Sequence, residues 1–173
     1  MEAIADSDLV IGVMGLVRAQ EHENIDRFDI ALPYDQTEYA KCLMALNGNV
    51  ALVFINGSPL GMEWIKNNVP AIVEAWYPGE QGGNAIADVL FGDYNPAGRL
   101  PYTVYRSLDD LPPFDDYEIS RGRTYMYFEG KPLFPFGHGL SYTDFEYSNL
   151  RFDSRDVKLD GFVNVSVDVK NTG

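Results

Sequence analysis

Acidic and basic side chains are concentrated in one short segment near the start of the chain, "LVRAQEHENIDRFD" (residues 16–29). A carboxyl group in such surroundings can act as a general acid or base, because neighbouring charges and burial adjust its pKa. On the residues alone, a solvated loop whose side chains pair four positions apart is the favoured interpretation. The segment combines carboxylates with two arginines and a histidine: Glu21, Glu23, Asp26, Asp29, Arg18, Arg27 and His22.

A second conspicuous segment, "WYPGEQGGNAIADVLFGDYNPAGRLP" (residues 76–101), has the strand–glycine–helix order of a phosphate-binding loop. A Walker loop needs a lysine and a hydroxyl after its last glycine, whereas this segment has Asn84 there. A Rossmann fingerprint needs glycines spaced G-x-G-x-x-G, and the spacing here is G-x-x-G-G with an acidic Glu80 inside it. We therefore expect Gly79, Gly82 and Gly83 to serve a tight strand-to-helix turn and close packing.

Composition excludes several classes of function. The chain has 173 residues, 46% of them hydrophobic, which suffices for one full core or for one domain plus part of another. With 13 basic against 26 acidic residues, its charge of −13 opposes binding to nucleic acid or to an anionic membrane. A single cysteine allows no internal disulfide or cysteine cluster, and two histidines argue against a zinc site. No apolar run approaches the roughly 18 residues of a membrane span.

The elements that must position the acidic segment follow an α/β order. Apolar runs predict buried strands at residues 9–16, 50–56 and 71–77, and helical patterns predict helices from Asp35 to Gly48, over 59–68 and over 84–92. Such alternation indicates an α/β layer with a mostly parallel sheet. The acidic segment leaves the carboxyl end of the first strand, where α/β folds place their functional loops.

Two of these helices carry specific packing predictions. Asp35 and Glu38 have the spacing of a capping box at the start of the first helix. We expect its buried face to consist of Tyr39, Cys42, Leu43 and Leu46. For the helix at 84–92, which Gly92 ends, we expect these side chains to be largely buried: Ala85, Ala87, Val89, Leu90 and Phe91.

The remainder of the chain changes character twice. Residues 100–105 suit an edge strand, and residues 107–143, rich in proline, glycine and aromatics, predict a long surface wrap. A strand is then expected at 145–152, and strict alternation in "FVNVSVDVKNTG" predicts another with one valine face half-buried. Because two strands cannot make a stable sandwich, the second domain is expected to be unfinished.

Long ordered blocks of this sequence carry a family resemblance. "YPGEQGGNAIADVLFGDYNPAGRLPYTVY" and "RGRTYMYFEGKPLFPFGHGLSYTDFEY" resemble the C-terminal half of family 3 glycoside hydrolases, a group that includes β-glucosidases and β-xylosidases. The order of the blocks also matches, from the first strand through the acidic loop ending in Asp-Arg to "PFGHGLSY". The resemblance covers nearly the whole chain.

The resemblance implies a three-part enzyme. An N-terminal (β/α)8 barrel would carry the nucleophilic aspartate, an α/β sandwich would follow, and a fibronectin III-like domain would come last. This chain would then hold most of the sandwich, at residues 1–143, and the first strands of the third domain, at 144–173. The expected substrates are β-linked oligosaccharides or glycosides, no metal or organic cofactor is expected, and an extracellular or periplasmic location is suspected. Without the barrel the chain is expected to be inactive.

The resemblance also selects a catalytic candidate. In this family the acid/base glutamate precedes the Asp-Arg pair by three residues, which is Glu23 here, with Glu21 as the fallback. The sequence departs from the family at Asn24, where glycine is common. Arg27 is expected to pair with an acid and Asp26 to brace the loop. A retaining glycosidase needs two carboxyl groups about 5–5.5 Å apart, and no residue of this chain matches the nucleophile.

Other polar and aromatic residues have structural interpretations. Arg121 and Arg123, among tyrosines that could stack on a sugar, are assigned to a domain-interface wrap, and His138 to a packed turn. Core or interface positions are assigned to Glu63, Trp64 and Trp76.

Two other classes of function remain open: a non-catalytic carbohydrate-binding or docking module, and a nucleotide-binding α/β domain.

Overall fold

The chain forms a three-stranded parallel sheet followed, near its end, by an antiparallel strand pair. The structure is a computed structural model that describes residues 1–24 and 26–173. Strands β1 (Val10–Gly15), β2 (Val50–Ile55) and β3 (Ala71–Glu74) lie side by side in that order, all parallel. Val13 is in register with Val53, and Val53 with Val73. All three strands lie within the apolar runs that predicted them.

Helices alternate with these strands. The helices are α1 (Glu2–Ala5), α2 (Gln36–Leu46), α3 (Glu63–Asn68) and α4 (Gly82–Phe91). A parallel pair needs a crossover between its strands, and α2 and α3 supply the helices of the two crossovers. The expected α/β class is therefore confirmed.

The hydrophobic core is centred on β2. Leu52, Val53 and Phe54 are fully buried, as expected for the middle strand of a parallel sheet. Helices α2 and α3 contribute Leu43 and Ile65 to the same core. This rigid centre fixes the carboxyl ends of the three strands, from which the loops described below emerge.

Strand β1, predicted to be a buried strand, is buried on one face only. Met14 is buried, whereas Ile11 and Val13 on the opposite face are 41% and 66% exposed. β1 is an edge strand, and helix α2 packs against it. Within the described residues, burial is therefore confined to one face of β1.

The predicted face of α2 was only partly correct. Asp35 is the N-cap residue, but its side chain makes no capping hydrogen bond, so the expected capping box is not formed. The buried residues of the helix are Ala40 and Leu43, whereas Cys42 is exposed and Tyr39 is 53% exposed. The helix turns its Ala40–Leu43 side to the core, which leaves Tyr39 and Cys42 on the solvent side.

Helix α4 ends where expected but is less buried than expected. Gly92 follows it in the left-handed conformation, with φ of 87°, which glycine adopts without steric cost. The side chains predicted to be largely buried are instead partly or fully exposed, and Phe91 is 71% exposed. No described element covers this apolar side, because the parallel sheet stops at β3, the strand before the helix.

The glycines before α4 have distinct roles. Gly79 has φ of 70°, and a Cβ atom on Gly82 would lie 2.4 Å from Cγ of Pro78. The predicted tight turn and close packing are therefore confirmed for these two. A Cβ atom on Gly83 would meet nothing within 4 Å, so no described contact requires glycine there.

The segment after α4 is mostly irregular, as predicted, but it enters the core. The edge strand expected at 100–105 is absent from the described structure, where only a single antiparallel bridge joins Val104 to Phe134. Leu133 is fully buried among the core residues, and Lys66 donates a hydrogen bond to its carbonyl oxygen. A short 3₁₀ turn (Leu108–Asp110) and helix α5 (Thr124–Tyr127) are the regular elements described between α4 and the strand pair.

The final strands pair as the sequence predicted. Strand β4 (Phe145–Phe152) runs antiparallel to β5 (Val165–Asn171), with an irregularity between Ser148 and Arg151. Both strands are exposed along their whole length, so the predicted half-burial of the valine face was wrong. Nothing in the described part of the chain covers either face of the pair. Among the described helices, none is long and apolar enough to cross a bilayer.

Candidate active site

Three loops meet at the carboxyl edge of the parallel sheet. They follow β1, β2 and β3, and the first contains the predicted acidic segment. The backbone N–H of Leu16 donates to the carbonyl of Ile55 (2.9 Å), which keeps the first and second loops adjacent as they leave their strands. The expectation that the acidic loop starts at this edge is therefore confirmed.

Glu21 is bound to both neighbouring loops. Its carboxylate accepts hydrogen bonds from the backbone N–H of Gly57 (2.6 Å), the hydroxyl of Ser58 and the phenol of Tyr77. Burial by itself would raise the pKa of this carboxyl, but the hydrogen bonds from Ser58, Tyr77 and Gly57 together lower it. Glu21 is therefore an ionised anchor that accepts hydrogen bonds.

Arg27 anchors the other side of the same loop. Its Nη1 donates to the Ser58 hydroxyl (3.0 Å) and to the carbonyl of Pro59 (3.1 Å). Its Nη2 donates to the carbonyl of Ala31 (3.0 Å). Arg27 therefore holds the loop as predicted, but through a hydroxyl and carbonyl oxygens rather than through the expected acidic partner.

Glu23 lies between the two anchors and is exposed. Within the described residues, its carboxylate makes no hydrogen bond or ion pair. Its backbone carbonyl accepts a hydrogen bond from Nδ1 of His22 (2.6 Å). The structure thus separates the two candidate glutamates by environment, because Glu21 is bound inward while Glu23 faces solvent.

Asn24 adopts a left-handed conformation, with φ of 74°. Among residues with a side chain, asparagine tolerates this region best, and glycine adopts it without penalty. The asparagine at a position where glycine was expected is therefore compatible with the same loop backbone. Ile25 lies outside the described residues. Asp26 is exposed, and its expected role in bracing the loop stays a prediction.

Glu74 was not predicted from the sequence as a member of the site. It is the last residue of β3 and is partly buried, with Oε1 accepting from the backbone N–H of Trp76 (3.3 Å) and Oε2 from Nδ2 of Asn56 (3.4 Å). Burial raises its pKa to about 7, opposed by the hydrogen bonds from Trp76 and Asn56 and reinforced by the charge of Glu21. An acidic residue ending an apolar strand, as in "AIVE", is the signal that could have identified it.

Aromatic residues surround Glu74. Trp76 packs edge-to-face against Tyr102, with 5.5 Å between ring centroids, and it holds a left-handed backbone with φ of 54°. Burial, together with the negative charges of Glu74 and Glu21, raises the pKa of Tyr102 far above its ordinary range. The phenol of Tyr102 is therefore neutral at every physiological pH.

Asn56 connects Glu74 to the loop after β2. It is fully buried, and its Nδ2 donates to the carbonyl of Ser58 (3.1 Å) as well as to Glu74. Its Oδ1 has no hydrogen-bond partner among the described residues. The edge of the sheet therefore carries a continuous polar network from Glu74 through Asn56 and Ser58 to Glu21.

The arginines and the histidine that were assigned to structural roles lie in the expected wrap and turn, whereas Glu63, assigned to the core or an interface, is exposed. Nη1 of Arg121 pairs with Asp116 (3.1 Å), and Arg123 donates to backbone carbonyls of the same wrap. His138 lies 5.1 Å from the ring of Phe134, and its carbonyl accepts from the N–H of Leu100 (2.8 Å), as expected for a packed turn. In the described part of the chain, no group of three or more His, Cys, Asp or Glu side chains is arranged to hold a metal ion.

Chemically, the edge of the sheet offers three carboxyl groups in different states. Glu21 is held ionised by hydrogen bonds, Glu74 is inclined to keep its proton near neutral pH, and Glu23 is open to an incoming molecule. An exposed carboxyl on an anchored loop can give a proton to, or take one from, a bound substrate.

Comparison with known proteins gives a consistent assignment. A family model described as "Glycosyl hydrolase family 3 C-terminal domain" matches residues 1–142. A periplasmic beta-glucosidase of Salmonella typhimurium is 39% identical over the whole chain, and a xylan 1,4-beta-xylosidase of Xylanibacter ruminicola is 46% identical over 86% of it. The chain spans only 24% and 17% of these two relatives.

Solved structures agree with these relatives. The beta-glucosidase of Kluyveromyces marxianus in complex with glucose superposes with a TM-score of 0.89 at 37% identity, covering 99% of this chain and 22% of that one. A beta-glucosidase of Erythrobacter marinus superposes with a TM-score of 0.83 at 40% identity, covering 99% of this chain and 24% of that one. The chain therefore belongs to glycoside hydrolase family 3 and contains the C-terminal α/β domain of that family.

Proposed function

We propose that this chain is part of a retaining, exo-acting β-glycosidase, a β-glucosidase or β-xylosidase, to which it contributes the general acid/base Glu23. The observation that carries the proposal is the exposed Glu23 on a loop anchored on either side by Glu21 and Arg27. The relatives, which are beta-glucosidases and a beta-xylosidase, supply the substrate class. The nucleophilic aspartate is assigned to an N-terminal (β/α)8 barrel outside this chain.

The domain assignment belongs to the same proposal. Residues 1–143 form the α/β sandwich domain, and residues 144–173 begin a fibronectin III-like domain. The name of the Salmonella relative supports a periplasmic or extracellular site of action.

In the proposed reaction, the two carboxyl groups act in sequence. The barrel aspartate attacks the anomeric carbon while the protonated Glu23 gives its proton to the departing glycosidic oxygen. In the second step the ionised Glu23 takes a proton from water, which attacks the anomeric carbon and releases the aspartate. The enzyme returns to its starting protonation state, the configuration is retained, and no metal or organic cofactor is required.

The environments of the two glutamates favour Glu23 over the fallback Glu21. A general acid must release a proton near the working pH, and hydrogen bonds from Ser58, Tyr77 and Gly57 lower the pKa of Glu21. Moving Glu21 toward a substrate would also break three hydrogen bonds. Within the described residues, the Glu23 carboxylate makes no hydrogen bond that would have to break.

Replacement of Glu23 by glutamine in the full-length protein tests this assignment. We expect kcat/KM for aryl β-glycosides with poor leaving groups to fall by about 10²-fold or more, because these groups depend on proton transfer. Substrates with good leaving groups need less proton assistance and should be much less affected. The control is Glu80→Gln, at an exposed glutamate of a different loop.

Azide separates the two glutamates. A Glu23→Ala variant should regain turnover of activated substrates in azide, because the small anion can attack the glycosyl-enzyme without base assistance. Rescue of Glu21→Ala alone would transfer the role to Glu21. Unchanged turnover in Glu23→Gln would instead favour a non-catalytic carbohydrate-binding or docking role for the domain.

The proposal that this chain carries the general acid/base and the barrel carries the nucleophile is tested with the 173-residue chain alone. We expect it to release no phenol from an aryl β-glycoside, because the nucleophile is assigned to the barrel. Hydrolysis above the buffer blank by the purified chain would contradict this division.

A further inference from the structure

The hydroxyl of Ser58 connects the two anchors of the acidic loop. Its Oγ accepts a hydrogen bond from Nη1 of Arg27 (3.0 Å) and donates one to Oε2 of Glu21. A hydroxyl carries one proton and two lone pairs, so it can serve both partners at once. Glu21 and Arg27 flank Glu23 in the sequence, and in the structure they meet at this one oxygen atom.

We propose that Ser58 is a positioning residue, which joins Glu21 to Arg27 and thereby fixes where Glu23 is presented. The proposal rests on the proposed role of Glu23 as general acid/base. Joining the two ends of a short loop removes most of its alternative conformations. A general acid gains most of its effect from correct placement, so the closure would be felt in the rate of proton transfer.

The core of the sheet fixes Ser58 itself. Nδ2 of the fully buried Asn56 donates to the carbonyl of Ser58 (3.1 Å), and Asn56 directly follows strand β2. Glu74, at the end of β3, accepts from the same amide group (3.4 Å). The backbone of Ser58 is therefore held by residues at the ends of two adjacent strands, outside the loop that carries Glu23.

The remaining contacts of the anchors indicate how large the effect of Ser58 should be. Without its hydroxyl, Glu21 would retain Gly57 and Tyr77, and Arg27 would retain the carbonyls of Pro59 and Ala31. The loop should then stay attached but lose the link between its two sides. We expect an effect smaller than that of removing the Glu23 carboxyl.

The test compares Ser58→Ala, Ser58→Cys and Ser58→Thr in the full-length protein. It measures kcat/KM for a phenyl and a 2,4-dinitrophenyl β-glycoside of the same sugar. Ser58→Ala and Ser58→Cys should lose about tenfold on the phenyl glycoside, which needs the acid, and much less on the dinitrophenyl glycoside. Ser58→Thr keeps the hydroxyl and should restore most of the loss. The cysteine variant fills the site if the alanine variant fails to fold.

The control and the double variant separate positioning from a general structural effect. Ser141→Ala also removes a serine hydroxyl bonded to a side chain, Oδ1 of Asn95 (2.9 Å), and should show no dependence on the leaving group. If Ser58 acts through Glu23, then Ser58→Ala added to Glu23→Gln should cause no further loss on the phenyl glycoside.

The other results overturn the proposal in distinguishable ways. Equal losses on both glycosides, or losses that multiply in the double variant, would show that Ser58 acts only through stability. A Glu23→Gln variant without leaving-group dependence would refute the proposed function and the role of Ser58 with it. A dependence in Glu23→Gln that is absent from Ser58→Ala and Ser58→Cys would refute the role of Ser58 alone.

Discussion

Glu74 should make the stability of this domain fall as the pH rises from acid to neutral. The folded chain holds the Glu74 proton up to about pH 7, whereas the unfolded chain loses it near the ordinary value of 4.5. Between these pH values the folded state binds more protons, so the free energy of unfolding decreases with increasing pH. Well below pH 4.5 Glu74 does not lower the free energy of unfolding, and above pH 7 the loss of stability that it causes is complete.

The magnitude follows from the two pKa values. At 1.36 kcal/mol for each pKa unit, the difference between about 7 and 4.5 corresponds to about 3 kcal/mol. Solvent screening at this partly buried site lowers the expected effect to about 2 kcal/mol. Glu74→Gln removes the charge but keeps a side-chain oxygen that can accept from the Trp76 N–H.

Urea unfolding between pH 5 and 8.5, followed by tryptophan fluorescence, tests this reasoning. Glu74→Gln should exceed the parent chain's free energy of unfolding by less than about 1 kcal/mol at pH 5 and by about 2 kcal/mol at pH 8. Glu80→Gln, at an exposed glutamate, serves as the control and should follow the parent at both pH values. Identical pH dependence in the parent and in Glu74→Gln would refute the argument.

Three further substitutions have definite expected outcomes. Gly15→Ala places a Cβ 2.0 Å from the carbonyl oxygen of Ile55 at φ of 135°, so thermal denaturation should reveal a loss of about 3 kcal/mol or more. Asn24→Gly should leave the melting temperature nearly unchanged, whereas Asn24→Val should cost about 1–2 kcal/mol, because a branched residue resists the left-handed region. Tyr77→Phe removes a single hydrogen bond to Glu21 and should cost about 1 kcal/mol in urea unfolding, and no change would show that this bond is not formed in solution.

The sequence predicted the elements well where one local pattern decided them. Apolar runs located β1, β2 and β3, and alternation located β4 and β5, because strand formation leaves a signature within a few residues. Burial was predicted less well. Cys42, Phe91 and the valines of β5 are exposed because burial depends on what packs against an element, which no local pattern specifies.

For the candidate site too, local features were predicted and features that depend on distant residues were missed. The loop was found because carboxylates and arginines cluster within a few residues of one another, and the family resemblance then selected Glu23 within it. Ser58 and Glu74 were missed because their partners are distant in the sequence: the bond between Ser58 and Glu21 spans 37 positions, and that between Asn56 and Glu74 spans 18. The parallel sheet brings these positions together, so their relation becomes visible only when the strand order is known.

The burial of Leu133 has a consequence for how the domain folds during its synthesis. It is fully buried in the same core as β2, and Lys66, in α3, binds its carbonyl oxygen. A ribosome releases the chain from its N-terminus, so the sheet is complete long before residue 133 emerges. Until then the growing chain exposes an apolar site that Leu133 will later fill. We therefore expect the nascent α/β domain to be open to chaperone binding over the synthesis of about sixty residues after β3, and to reach its final stability only when Leu133 is in place.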